Sequence, residues 1–403
     1  MKILEVNTVF RYGSTGRIVA DLKQTLIDRG NTVSAAIGRN YEGNDQDVHI
    51  IGSRIQTILD VGVSRLFDNA GFGTTGPTRR LLELIDRIKP DILHLHNIHG
   101  YYINVRTLFE YLKKKTKVKV VWTLHDCWPI TGHCTYFDYA HCNKWREKCY
   151  SCPQKKKYPS CYLLDRSTHN YLVKKSLFSG LGERLVIVTP SNWLAKIIKE
   201  SFLGNYRIEV IHNGIDVDNF KPHQSKLREQ YNIKEQKVLL AIASIWGERK
   251  GLNEYYKMSK LLSEDYKLVM IGVSDKQLAM LPNNIIGIKR TNSVEELAQW
   301  YSTADVLLNL SLEDNFPTIN IEALACGTPI LAYDTGGSAE AFDTQSGVCV
   351  AKGDLQAVVD TLFQGNIFLL SRDYCIQRSR LFDKRLCYRK YEELFADLIS
   401  NSK

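Results

Sequence analysis

Apolar residues recur along this chain in two alternating rhythms. Runs at residues 3–6, 33–37, 92–95 and 118–124 are short and almost continuously apolar, the pattern of strands buried on both faces. Between the first two, Ile18, Val19, Leu22, Leu26 and Ile27 repeat at helical spacing, and Gly30 follows as a stop. Leu81, Leu82, Leu84, Ile85 and Ile88 form a second helical stripe ending at Pro90, and a third helix is read near 105–115. The rhythm breaks over 127–165, an irregular insert rich in Cys and Tyr. It resumes with a strand at 185–188, a helix over 192–202 and a strand at 208–211.

The second half repeats the scheme. Strands are read at 238–243, 268–271, 285–288, 306–310, 330–332 and 348–350, with helices near 252–262, 294–303, 318–326 and 354–364. Such alternation predicts an α/β fold of parallel sheets covered by helices on both faces. Two doubly wound, Rossmann-like domains in tandem are expected, facing a central cleft, with their junction near His212-Asn213-Gly214. The expected division is 1–212, 213–383, and a terminal helical segment 384–403 that is free to pack back on the first domain. Ligands of such sheets sit at the carboxyl ends of the strands.

Composition narrows this little. The 403 residues suffice for two domains, and the charged and apolar fractions are those of a globular protein. The net charge of +9, with runs at Lys113-Lys114-Lys115 and Lys155-Lys156-Lys157, fits a solvated face, an acidic membrane surface or a phosphate-bearing ligand. No nucleic-acid-binding motif accompanies the charge, so no nucleic-acid partner is expected. The start of the chain runs into a strand without a signal-peptide core, and no stretch has the length of a bilayer span. A cytoplasmic location follows as an expectation, with peripheral contact at the inner membrane face left open.

The strand ends carry the candidate chemistry. The first loop, Thr8 to Arg17, holds Gly13 and Gly16 but lacks the third glycine of a dinucleotide fingerprint; a backbone approach to an anion and a plain tight turn both fit. In the equivalent loop of the second half, Ser244 is followed by Arg249, Lys250 and Gly251, cations suited to phosphates. Asp314 and Glu322 are separated by seven residues across a strand-to-helix turn, Asp314 in the loop and Glu322 one turn inside the helix. His125-Asp126 follows a buried strand. His94 and His96 share one face of the preceding strand, which would suit a metal pair, but no matched carboxylate is visible, so packing is the preferred reading. Cys134, Cys142, Cys149 and Cys152 are spaced C-x7-C-x6-C-x2-C, which fits a structural zinc site, free thiols or, least in keeping with a cytosolic chain, a disulfide.

Taken together these segments resemble glycosyltransferase family 4, enzymes of the two-domain GT-B architecture. The matching pieces are the first loop, Thr123-Leu124-His125-Asp126, Thr189-Pro190-Ser191-Asn192-Trp193, Ile211 to Asp216, Arg249-Lys250-Gly251 and, most diagnostic, Glu322 to Pro329. The insert beginning Cys127-Trp128-Pro129 resembles a subgroup that builds bacterial exopolysaccharides and capsules. The resemblance implies that Glu322 holds the donor ribose. It implies that Asp314 and the backbone N–H groups of Asn315, Phe316 and Thr318 hold the transferred sugar, and that Lys250 and Arg249 neutralise the departing diphosphate. Gly16 and Ser244 fall at donor-binding positions, although the family usually has an arginine at the second; Arg249, Arg11 or Arg17 would have to replace it. Asp314 stands where the family has glutamate, with Glu313 as an alternative. His125 and Asp126 would contact the transferred sugar or orient the acceptor.

The function so implied is retaining transfer of a sugar from a nucleotide-diphosphate donor to a lipid-linked or oligosaccharide acceptor, without a catalytic metal. A nucleotide-sugar epimerase of the same architecture and a non-catalytic nucleotide-sugar-binding protein are the rival readings.

Overall fold

The computed structural model describes residues 1–39, 41–115 and 117–400, the side chain of Lys115 excepted, so the last three residues of the expected terminal segment lie outside it. The chain forms two compact units, one of Met1–His212 with the chain from Tyr388 on, the other Asn213–Cys387.

The first unit is built on strands β1 (Lys2–Asn7), β2 (Thr32–Ile37), β3 (Val48–Ile50), β4 (Ile92–Leu95), β5 (Lys119–Thr123), β6 (Leu185–Thr189) and β7 (Arg207–Val210). They form one parallel sheet in the order β3-β2-β1-β4-β5-β6-β7, which reverses direction between β1 and β4. At that switch point Glu5 lies opposite His94 in the register. Leu4, Val6, Leu93, Leu95, Val120 and Trp122 face a shared core with the covering helices. Parallel strands need covered faces, which is why these runs are continuously apolar.

Two elements here were not legible in the apolar pattern. β3 is three residues long and only partly covered. The helix Arg54–Phe67 is built inside out: Asp60 and Ser64 are buried, while Ile55, Ile58, Leu59 and Val63 are 72%, 61%, 63% and 43% exposed. The buried Asp60 explains the inversion, since its Oδ2 accepts from Thr74 Oγ1 at 2.7 Å.

The second unit repeats the plan with β8 (Lys237–Ile242), β9 (Tyr266–Ile271), β10 (Ile285–Ile288), β11 (Val306–Asn309), β12 (Ile330–Tyr333) and β13 (Gly347–Val350). All pairs are parallel, in the order β10-β9-β8-β11-β12-β13, with the switch between β8 and β11. Cores lie on both faces, one around Trp300, Tyr301 and Ile321, the other around Tyr255, Met258 and Leu362.

The last helix, Lys384–Ser400, belongs to the second unit at its start and to the first at its end. Its start is held by Lys384 N–H to Ile215 O at 2.9 Å. Its end is held by Tyr391 on Thr123 Oγ1 at 3.1 Å, and by Glu392 on Arg29 and Asn31.

Candidate functional site

In the second unit the loops after β8 and β11 are stitched together. Gly251, at φ 70°, lies so close to β11 that a Cβ would meet Leu310 O at 2.1 Å, which restricts the position to glycine. The preceding turn, Glu248–Lys250, offers Arg249 O to Leu312 N–H at 2.9 Å, and Arg249 Nη1 donates to Glu313 O at 3.1 Å. The result places Lys250 Nζ 2.5 Å from Asp314 Oδ2, with side chains 18% and 12% exposed. Burial pushes the Asp314 carboxyl up, but the charges of Lys250 and Arg249 outweigh it and hold the group below its ordinary value. An ammonium has three donors, and Asp314 takes one.

The helix Thr318–Ala325 starts immediately after, and no side chain caps it. Its first-turn N–H groups therefore point out of the loop end with the positive end of the helix dipole. Glu322 is buried, and its Oε2 accepts from Tyr301 O–H at 2.7 Å. Tyr301 is a partner that no sequence spacing indicated. Asn315 and Phe316 are buried and Thr318 half-buried. The Asn315 N–H, expected to face a sugar, is bonded to Asp314 Oδ1 at 3.0 Å, because the turn brings the acid back on its own backbone. Gly336, at φ 58°, packs against Asp314 O, and Gly337 N–H bonds Asn315 O at 2.7 Å. Glu313 is buried and gives its carbonyl to Arg249. Ser244 is exposed just past the end of β8.

In the first unit, Gly16 is buried at the first turn of the helix Gly13–Asp28. Its carbonyl accepts from Arg11 N–H at 2.8 Å, and a Cβ there would meet Val9 Cγ2 at 3.0 Å. Arg11 is exposed and paired with Asp45 at 3.3 Å, and Arg17 is exposed. His125 and Asp126 lie two and three residues past β5. His125 Nε2 is 3.0 Å from His96 Nδ1 with the rings stacked, and burial pulls its pKa down to about 4, so it is neutral near pH 7. Asp126 accepts from Trp128 N–H at 2.9 Å and meets His99 Nε2 at 3.0 Å; these contacts overcome its burial and keep it ionised.

In the insert the four cysteines lie near one another. Cys134 and Cys152 are in thiol contact, with Cys149 and Cys142 nearby. Among the described residues, however, no three of Cys134, Cys142, Cys149 and Cys152 bring their sulfurs within 4.8 Å of one another. Cys134 and Cys149 share the core with Trp128, Phe137 and Trp145. Lys174, fully buried, adds donors to Trp128 O and Thr131 O at 2.8 and 3.0 Å. Two Asp-x-Asp pairs occur, and all four carboxylates have partners. Asp45 pairs with Arg11, Asp47 with Lys23, Asp216 with Lys384 and Asp218 with Arg385.

Comparisons with known proteins identify the family. A family model described as Glycosyltransferase Family 4 matches residues 15–219, and one described as Glycosyl transferases group 1 matches residues 236–364. The chain is 25% identical over 376 residues to the putative colanic acid biosynthesis glycosyl transferase WcaC of Escherichia coli K12, covering 89% of each. It is 24% identical over 254 residues to the N,N'-diacetylbacillosaminyl-diphospho-undecaprenol alpha-1,3-N-acetylgalactosaminyltransferase of Campylobacter jejuni, covering 59% of this chain and 66% of that one. Among solved structures, Anabaena Alr3699/HepE in complex with UDP-glucose is similar with a TM-score of 0.68 at 15% identity, over 98% of this chain and 100% of that one. At that identity the likeness is one of fold, and the fold is GT-B. With two switch-point sheets and a family match spanning more than half its length, the chain belongs to glycosyltransferase family 4 and is a glycosyltransferase.

Proposed function

We propose that this glycosyltransferase moves a sugar, with retention of anomeric configuration, from a nucleoside-diphosphate sugar to a hydroxyl of a lipid-linked glycan in cell-surface polysaccharide assembly. The observation that carries the reading is the grouping of Lys250, Asp314, Glu322 and an uncapped helix N-terminus at the carboxyl end of one sheet. Glu322 would accept from the donor's ribose hydroxyls. Lys250 keeps two N–H donors for the diphosphate, with Arg249 beside it, and Asp314 would hold the transferred sugar. The bond from the sugar's anomeric carbon to the diphosphate oxygen breaks. The acceptor oxygen bonds to that carbon, and its proton passes to the departing phosphate oxygen. Negative charge grows on the diphosphate as the bond breaks, so cations and N–H dipoles fixed there lower the barrier. Within the first unit, neutral His125, and Asp126 held by His99, would orient the acceptor.

The acceptor assignment rests on the name of the Campylobacter relative and on the helix Arg54–Phe67, whose apolar side chains are exposed between Arg54 and Arg65. Such a face suits an interfacial helix on an anionic membrane. No helix among the described residues is long and apolar enough to cross one. The first experiment is a thermal-shift screen against UDP, GDP and their sugar conjugates, followed by measurement of nucleoside diphosphate released with a lipid-diphosphate-linked acceptor. Binding without release, with any acceptor, would favour a protein that only holds the nucleotide sugar. For the membrane contact, Leu59→Glu should abolish co-sedimentation with anionic vesicles, and unchanged sedimentation would refute it.

A further inference from the structure

Glu5 is the one acid of β1, set between Leu4 and Val6, and the parallel register of β1 and β4 places it opposite His94. His96, two residues on and just past the end of β4, projects to the same side. Glu5, His94 and His96 are 0%, 0% and 1% exposed. One ligand atom from each lies within 4.8 Å of the others, and this is the one such trio of His, Cys, Asp or Glu among the described residues. Both Glu5 carboxylate oxygens, His94 Nδ1 and His96 Nε2 are buried without a hydrogen-bond partner. The nearest approach between Glu5 Oε1 and His94 Nδ1 is 3.7 Å, too long for a hydrogen bond. The second nitrogen of each ring is occupied: His94 Nε2 meets Thr123 Oγ1 at 2.8 Å, and His96 Nδ1 meets His125 Nε2 at 3.0 Å.

We propose that Glu5, His94 and His96 bind a divalent transition-metal ion in the first unit. A buried polar atom without a partner loses its hydration uncompensated, and here four converge with none satisfying another. Two imidazoles and a carboxylate are a donor set for zinc or its first-row neighbours. The outer contacts have the form such ligands take, each ring anchored through its far nitrogen. Burial also keeps both histidines neutral, the ligating form. The carboxylate that the two histidines lacked in the sequence is supplied by a strand almost ninety positions away. With Nε2 given to the metal, His96 carries its proton on Nδ1 and donates it to His125 Nε2, which fixes the orientation of that ring. The site also sits under the last helix, since Thr123 bonds Tyr391 and the His94 ring packs on Tyr391 and Phe395.

The test uses the full chain, stripped with chelator and titrated with Co2+ alone. The expected result is one equivalent bound with visible d–d absorption and without the near-ultraviolet sulfur-to-cobalt band that marks thiolate ligands. Zn2+ should displace it. Glu5→Gln and His96→Gln should each weaken that binding by about 100-fold or more, whereas Cys152→Ser should leave it unchanged. If both ligand variants fail to fold, X-ray absorption of the zinc-loaded wild type should show a nitrogen and oxygen shell only. Cobalt bound solely with the thiolate band, absorption untouched by both ligand variants, a sulfur shell, or no binding would each overturn the proposal.

Discussion

Replacing Lys250 separates its two roles, in stability and in turnover. The Lys250–Asp314 contact is 2.5 Å long and mostly shielded from solvent. Breaking a fully buried pair costs about 3–5 kcal/mol, and an exposed pair about 0.2–1 kcal/mol. Arg249 still faces Asp314 after the change, so Lys250→Ala is expected to cost about 2 kcal/mol of the second unit's stability, between those limits. That corresponds to a fall in melting temperature of about 4–8 °C. Asp314→Asn keeps the acceptor for Asn315 N–H while removing the stranded charge, so the double variant should recover about half of the loss. Turnover should behave otherwise. Lys250→Ala should lower kcat by about 100- to 1000-fold through lost charge stabilisation in the transition state, and Asp314→Asn should not restore it. The contribution of ionised Asp314 is complete above its unfolded value near about 3.9 and is lost as pH falls through its lower folded value, so assays at neutral pH lie on the plateau. Urea unfolding and single-turnover release of nucleoside diphosphate are the assays. If the double variant regains turnover as well as stability, Lys250 acts only by holding the loop, and the catalytic reasoning fails.

Three further outcomes follow from the same contacts. Glu322→Ala should weaken donor binding about 10- to 100-fold by calorimetry, since the acceptor for the ribose hydroxyls is lost; unchanged affinity in a folded variant removes Glu322 from the donor site. Gly251→Ala forces a left-handed residue against Leu310 O and should cost about 2 kcal/mol or more by urea unfolding while lowering turnover; a neutral result would mean that the loop can move. Burial pulls the Lys174 pKa down to about 7, so the unfolded chain binds the extra proton between there and the ordinary lysine value. Stability should therefore rise with pH by up to about 1.4 kcal/mol per unit from this group between pH 7 and 10. Lys174→Met should remove that rise relative to wild type in paired urea unfolding at pH 7 and 9, and an unaltered slope would refute the assignment.

The alternation of apolar runs with helical stripes was sufficient to read the two sheets, because strands buried on both faces must be apolar along their whole length. The Lys250-Gly251 turn and Glu322 were legible because each follows a strand end at a recognisable spacing. The helix Arg54–Phe67 was not, because its apolar residues face outward and its buried residues are Asp60 and Ser64, the reverse of the pattern that marks a covered helix. The Cys spacing left zinc, free thiols and a disulfide open, because spacing along an irregular segment does not determine where side chains converge; in the fold Trp128, Phe137 and Trp145 draw two of the thiols into the core. Only the tertiary structure could pair Lys250 with Asp314, Tyr301 with Glu322, or Glu5 with His94, since strand order and register decide those meetings. The sequence by itself determined which residues must be covered and which loops carry charge. The structure decided which charges meet, because a parallel sheet sets side by side residues that the chain holds far apart.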